Sequence, residues 1–341
     1  MHKLTLLATF ATSAMAPGFV VSLDYSLDSN SFFSNPTAMA AVDQAAADIS
    51  AAITSSLTAV TQETVDVGSG GDRVIITGSN RYQNPSTGAA LTRNYDTDPV
   101  AADTFVIYVG SRALGGSTLG QGGFSSNVGT SFFSGLTQPT LDSAMASYNT
   151  TYGRGGGPTM SSFNITPNGL STTVSNGPTL GELWFDHDTD NDNDIDTAME
   201  LGVAWHFDHN SSVASGKSDL YSVALHEILH AIGYGTSVSW DSVISGTNYL
   251  GAEGIAANGG SGANLVDGGG GHLASGTMST RINDGSTQEA VMDPNITVGT
   301  RKSLTQIDLA VLRDIGYTTI PEPSAALLAS LGLLLIRRHR R

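Results

Sequence analysis

Apolar residues recur at intervals of three or four from Thr37 to Val60, directly after Pro36. This spacing places them on one face of a helix, and proline is well tolerated in a first helical turn. The pattern therefore predicts a long amphipathic helix over these residues. Its apolar positions are Met39, Val42, Ala46, Ile49, Ile53 and Leu57.

Four short segments are rich in β-branched and aromatic residues, which predicts strands. They are DRVIITGS (72–79), DTFVIYVGS (103–111), GELWFDHD (181–188) and VAWHFDH (203–209). Two glycine-rich segments, 114–124 and 152–158, are predicted to be loops. Neither ends in the Gly-Lys-Ser/Thr sequence of a phosphate loop, which argues against nucleotide binding.

Two further helices are predicted in the second half of the chain. One begins after Ser218 or Asp219, either of which is a good N-cap, and ends at Gly233, a favoured residue after a helix. The other begins at Ser303, whose pairing with Gln306 has the form of a capping box, and stops at Gly316. The residues between them, 234–300, are glycine-rich and are expected to be irregular.

The first of these helices contains the pattern H-E-x-x-H at His226, Glu227 and His230. Residues four apart lie on one face of a helix, so the two imidazoles can bind one zinc ion. Glu227 lies beside that face, where it could act as general base toward a zinc-bound water. The opposite face is apolar and is expected to pack on a sheet; it comprises Val223, Ala224, Ile228, Ala231 and Ile232.

A catalytic zinc usually takes a third protein ligand, and Thr236, at the expected compact spacing, is a poor one. The residues alone leave several candidates open. Upstream are His187, His206 and His209, and downstream are Asp241, Glu253 and His272. His206, Asp208, His209 and His187 could also form a second, structural metal site. On the alternative view, Trp205 and Phe207 pack inward while His206 and Asp208 face solvent.

Several segments together resemble the metzincin zinc metallopeptidases of bacterial envelopes, in particular a leishmanolysin-like branch with an insertion before the third histidine. They are LYSVALHEILHAIGYG (220–235), GGHLAS (270–275), AVMDP (290–294) and SLTQIDLAVLRDIGY (303–317). The resemblance implies that His226, His230 and His272 bind zinc and that Glu227 is the base. It also implies that Met292 forms the Met-turn beneath the metal, with Met278 as a rival.

The resulting fold expectation is α/β (α+β) and metzincin-like. It combines a twisted, mostly mixed sheet with a long N-terminal helix, the active-site helix and a smaller irregular C-terminal subdomain. The predicted boundaries are 1–22 for a signal peptide, 23–235 and 236–320 for the two catalytic subdomains, and 321–341 for a sorting signal.

Both ends of the chain have the composition of targeting segments. Residues 1–16 combine a basic start, an apolar stretch and small residues, as a secretory signal peptide does, with a cut expected between about 14 and 24. Residues 321–341 begin PEP, continue with an apolar run and end in arginines. They closely resemble the PEP-CTERM sorting signal, which implies transient membrane anchoring and removal by an exosortase-type enzyme. Export to the cell envelope, the cell surface or the medium is therefore expected.

Charge and cysteine content narrow the possible functions. The formal net charge of −16 becomes −20 without the two terminal segments, with 10 basic and 30 acidic residues left. Such acidity argues against nucleic acid as a partner. The chain has no cysteine, which excludes thiolate zinc ligands, a cysteine nucleophile and disulfides.

An acidic segment, FDHDTDNDNDID, has aspartate at every second position. Alternating oxygen donors are typical of calcium loops, although the glycine and the closing glutamate of an EF-hand are missing. Calcium binding and a solvated acidic hairpin tip both remain open. The calcium candidates are Asp186, Asp188, Asp190, Asp192 and Asp194.

The function expected from these observations is zinc-dependent hydrolysis of peptide bonds in a protein or peptide substrate. Two alternatives remain: a non-catalytic metal-binding matrix or adhesion protein of the cell surface, and another zinc hydrolase such as an amidase. The intact Glu227 favours an enzyme, because a structural zinc site fills its fourth position with a protein ligand. Oligomeric state and cleavage specificity are left open by the sequence.

Overall fold

The computed structural model describes residues 18–78, 81–125 and 129–321. These residues form a mixed α+β fold, as expected, with several small sheets around one four-stranded sheet. Residues 322–341 of the predicted sorting signal and residues 1–17 of the predicted signal peptide lie outside the described residues. Within the described residues, no helix has the length and apolar character needed to cross a membrane.

The described residues contain seven α-helices. They are α1 (Pro36–Ala52), α2 (Gln138–Tyr152), α3 (Ala198–Ala204), α4 (Leu220–Ala231), α5 (Val238–Asp241), α6 (Ala252–Ala257) and α7 (Gln306–Asp314).

The strands of the described residues are short except in the central sheet. They are β1 (Val20–Asp24), β2 (Thr64–Ser69), β3 (Asp72–Thr77), β4 (Arg81–Gln83), β5 (Ala90–Thr92), β6 (Thr104–Arg112), β7 (Gly120–Phe124), β8 (Gly129–Phe132), β9 (Ser161–Ile165), β10 (Thr172–Asn176), β11 (Leu180–Asp186), β12 (Trp205–His206), β13 (Ser218–Asp219), β14 (Ile244–Ser245), β15 (Asn248–Tyr249), β16 (Met278–Thr280) and β17 (Thr287–Glu289).

The central sheet has the order β1-β6-β11-β7. β6 is parallel to both β1 and β11, whereas β7 is antiparallel to β11 and lies at the edge. Residues of β6 and β11 are buried almost without interruption, which is typical of strands covered on both faces. The sheet is therefore mixed, as the sequence predicts, with its antiparallel edge strand next to α4.

Helix α1 begins as predicted but ends at Ala52, eight residues before the predicted end. The Asn35 side chain caps its N-terminus by accepting a hydrogen bond from Thr37 N–H. Ile53 is already extended, and Thr54 N–H donates to the Thr318 carbonyl. Leu57 and Val60 are buried, but from an extended segment. Pairing with the C-terminal segment thus outweighs the helical periodicity beyond Ala52.

A second apolar core lies beside the main one. It is formed by residues of β2, β3 and α2, a helix that was not predicted from the sequence, together with residues of β6, β10 and β11. The main core, by contrast, contains residues from both sides of position 235, including α1, α4 and α7. Most buried apolar residues between 60 and 180 thus belong to the second core, whereas Phe105, Ile107 and Val109 of β6 belong to the main one.

Three further predicted elements differ from the structure. The second half of the loop predicted over 114–124 is the edge strand β7. The strand predicted over 203–209 is reduced to β12, because its first residues close helix α3, capped by a box between Thr197 and Glu200. The last helix is capped at Thr305 with Asp308 rather than at Ser303 with Gln306. Ser303 and Thr305 are both hydroxyl residues suited to cap the last helix, and the local sequence does not decide between them.

Candidate metal centre

Helix α4 carries the H-E-x-x-H residues and lies wholly in the interior. Its N-cap is Asp219, which accepts a hydrogen bond from Ser222 N–H and forms a salt bridge with Arg301 at 2.7 Å. Gly233 follows the helix with a φ of 110°, a conformation that favours glycine. The start and end predicted from the sequence are confirmed to within two residues.

The structure brings His272 to the two helix histidines. His226, His230 and His272 each offer a ring nitrogen, and these nitrogens lie within 4.8 Å of one another. The Nε2 atoms of His230 and His272 are 3.0 Å apart. Gly235, with a φ of +75°, makes this approach possible, because a Cβ there would lie 1.9 Å from the Gly271 carbonyl oxygen.

The other ring nitrogen of each histidine faces an acceptor. His226 Nδ1 donates to the Val291 carbonyl oxygen at 2.8 Å, and His230 Nδ1 donates to the Tyr234 carbonyl oxygen at 2.9 Å. His272 Nδ1 lies 3.4 Å from Asp267 Oδ2. Hydrogen bonds of this kind fix the tautomer and ring orientation of metal-binding histidines.

This arrangement fits a divalent metal ion. A neutral imidazole that donates from Nδ1 presents a lone pair at Nε2, so the lone pairs of His226 and His230 are free. The short contact between His230 Nε2 and His272 Nε2 is satisfied either by a proton shared between the two nitrogens or by a cation bound to both. Two ligands of one tetrahedral zinc, each about 2.0–2.1 Å from the ion, lie about 3.3 Å apart. The 3.0 Å separation of His230 and His272 is close to that value.

Burial sets the electrostatics of the helix residues. It lowers the pKa of His226 well below its usual value and that of His230 to about 4, with the neighbouring imidazoles adding to the effect. Burial also raises the pKa of Glu227 to about 8. The two imidazoles are therefore neutral at physiological pH, and a nearby cation would favour the charged form of Glu227.

Glu227 faces the same cleft as the three histidines, a cavity of about 730 Å³. The backbone N–H of Gly122 in β7 donates a hydrogen bond to its carboxylate. A Cβ at Gly122 would lie 2.1 Å from the Glu227 carbonyl oxygen, so β7 and α4 touch through their backbones. The cleft is lined on one side by β7 and on the other by residues 294–296.

Met292 is fully buried, whereas its rival Met278 is half exposed in β16. The Met292 segment lies between two of the histidine-bearing segments. Val291 accepts from His226, and Leu273, the residue after His272, donates to the Met292 carbonyl oxygen. Asp308 holds the segment by accepting from the N–H groups of Val291 and Met292. The Met292 segment is therefore hydrogen-bonded both to His226 and to the residue after His272.

The other candidates for third ligand lie elsewhere. Thr236 lines the cleft, but its hydroxyl donates to the His230 carbonyl oxygen at 2.7 Å. His187 contacts Ser111, and His206 contacts the Asp208 carbonyl oxygen. Within the described residues, neither these two nor His209, Asp241 or Glu253 joins a group of three ligating atoms.

The acidic segment is only partly brought together. Asp188 and Asp190 form a group with Asp196, a residue that the calcium prediction did not include. The other predicted calcium ligands do not belong to this group; they are Asp186, Asp192 and Asp194.

Sequence reasoning also missed two residues of the histidine site, Asp267 and Gly122. They have no motif of their own and act through contacts formed by the fold.

Comparison of the chain with protein-family models, with curated protein sequences and with solved structures finds no match.

Proposed function

We propose that this protein is a zinc-dependent endopeptidase of the metzincin type, with His226, His230 and His272 as zinc ligands. The observation that carries the proposal is the convergence of three imidazoles and the Glu227 carboxylate on one open cleft. Three imidazole nitrogen donors with a fourth position open to solvent are typical of a catalytic zinc site.

The zinc ion would supply Lewis-acid chemistry and lower the pKa of a coordinated water. Glu227 is proposed to take the proton from the attacking water on its carboxylate and to deliver it to the leaving amine. The hydrogen bond from Gly122 N–H holds that carboxylate on the cleft side of α4. The three Nδ1 hydrogen bonds keep the imidazoles in the orientation that binding requires.

The substrate is proposed to bind as an extended chain along β7. Within the described residues β7 pairs only with β11, and its residues 120–122 line the cleft. A peptide added to a strand edge is recognised through its main chain, with little demand on side chains. The carboxylate base and the strand edge together favour peptide hydrolysis over a purely structural metal site in a matrix or adhesion protein. The strand edge also favours it over an amidase.

Export and processing at both ends belong to this proposal. Phe19 is fully buried and Val20 begins β1, so a signal-peptide cut that preserves the fold falls before Phe19. The PEP-CTERM-like tail would hold the protein at the membrane until an exosortase-type enzyme removes it.

The proposal is tested by zinc content and casein cleavage of purified Glu227→Ala beside wild type. We expect one zinc per chain in both, with cleavage lost in the variant, because the ligands remain and the base is gone. His272→Ala should lose zinc and cleavage together. Casein cleavage by Glu227→Ala at the wild-type rate would refute the mechanism, and full zinc in His272→Ala would refute the ligand set.

A further inference from the structure

The loop between β11 and α3 brings three carboxylates together away from the histidine cluster. Asp188, Asp190 and Asp196 each offer one oxygen, and the three oxygens lie within 4.8 Å of one another. Asp188 and Asp196 are only 4% and 6% exposed. Among the described residues, no lysine or arginine forms a salt bridge with any of the three. Asp188 accepts hydrogen bonds from the N–H groups of Asp192 and Asn193, but a cluster of buried carboxylates without a counter-charge is still costly.

Asp196 supplies a second, independent observation. Its Oδ2 accepts hydrogen bonds from the N–H and hydroxyl of Thr189. Its Oδ1 is buried and has no hydrogen-bond partner among the described residues. Buried polar atoms nearly always have a partner. Asp196 therefore has one buried oxygen that remains available as a ligand for a cation.

We propose that Asp188, Asp190 and Asp196 bind a calcium ion. All three donors are carboxylate oxygens, the ligands that calcium prefers, whereas zinc prefers nitrogen and sulfur. Asp190 is exposed, so solvent can complete the six to eight ligands that calcium takes. Magnesium is less suited to the site, because it demands a rigid octahedron that a long surface loop does not enforce.

The same loop is attached to the rim of the cleft. Asn191 Nδ2 donates to the Gly116 carbonyl oxygen at 3.3 Å, and Leu114 N–H donates to Asp186 Oδ1 at 3.0 Å. Residues 117–119 then line the cleft. A bound calcium ion would therefore order the segment that leads into β7 as well as its own loop. Calcium binding itself does not rest on the proposed peptidase activity.

The test is calorimetric titration of calcium chloride into the full chain after treatment with a calcium-selective chelator. The Glu227→Ala background prevents self-digestion. We expect one calcium per chain and a Kd in the range of about 10⁻⁶–10⁻³ M. Asp190→Asn should weaken binding at least about tenfold, because a charged ligand becomes a neutral one. Asp190 is exposed, so this variant should fold, as circular dichroism would verify.

Asp194→Asn is the matched control, because it removes the same charge from the same loop outside the group of three. Its Kd should stay within about threefold of the parent value. Hydrogen exchange should show calcium-dependent protection at 186–196 and at 114–119. Absence of binding up to about 10 mM calcium would overturn the proposal. So would equal losses in the two variants, which would indicate general attraction to an acidic loop.

Discussion

Each histidine of the cluster depends on a second residue for its orientation, and the weakest of these supports is at His272. His226 and His230 lie on a rigid helix and donate to backbone carbonyls. His272 follows a run of glycines, and its side chain is 28% exposed. Asp267 compensates by accepting from both the backbone N–H and Nδ1 of His272. Asp267 is therefore a positioning residue for His272, the proposed third ligand.

Asp267→Ala should weaken zinc binding by about 10- to 100-fold, the usual effect of losing the partner of a metal-binding histidine. The measurement is competition for zinc with a chelator of known affinity. Asp284→Ala is the control, since Asp284 is an exposed aspartate of the same region that contacts Ser286 and Arg281. A zinc affinity of Asp267→Ala equal to that of the control would show that His272 needs no such support.

The residues within one helix were predictable from the sequence, whereas those brought together by the fold were not. The spacing of His226, Glu227 and His230 determines their shared face once the helix forms. His272 was one of six candidates, and only the resemblance selected it. The structure supplies the missing reason in the contact between Gly235 and Gly271. Gly235 and Gly271 are 36 positions apart in the sequence, so no local sequence pattern can predict their contact.

At the scale of elements, the cleft depends on how closely β7 approaches α4. Gly120, Gly122 and Gly123 have no side chains, so less space is needed around β7. At Gly122 the backbones of β7 and α4 touch. The same glycines explain why the segment was predicted to be a loop, because glycine is depleted in strands. Pairing with β11 and packing on α4 override that preference. The glycine content of β7 is thus required by packing.

Gly122→Ala should lower kcat/KM for peptide substrates by about 10- to 100-fold, because its Cβ would push β7 away from Glu227. Zinc content should remain at one per chain, since β7 supplies no ligand. The control is Gly123→Ala, one residue further along the same strand, where an added Cβ meets nothing within 4 Å. Equal activities in the two variants would contradict the required approach of β7 to Glu227.

For the whole molecule, the main core already joins the two segments that carry the proposed zinc ligands. Residues of α4 and of the segments after position 265 pack in one apolar cluster. The three histidines of the proposed zinc site connect the same segments, with two from α4 and one from the loop after it. The division into two catalytic subdomains near position 235 remains a prediction from the resemblance. Which segments share a core depends on contacts distant in sequence, and these could not be predicted from composition.

Zinc should therefore stabilise the entire fold. At free zinc a thousandfold above its Kd, binding contributes about 4 kcal/mol. At about 2 °C per kcal/mol, removal by 1,10-phenanthroline should lower Tm by roughly 8 °C. Glu227→Ala should show the same decrease, because it keeps all three ligands, whereas His272→Ala should show a much smaller one. A Tm of wild type insensitive to the chelator, with zinc shown to be removed, would mean that the apolar core alone holds the two segments together and that the histidine cluster is formed in advance of the metal.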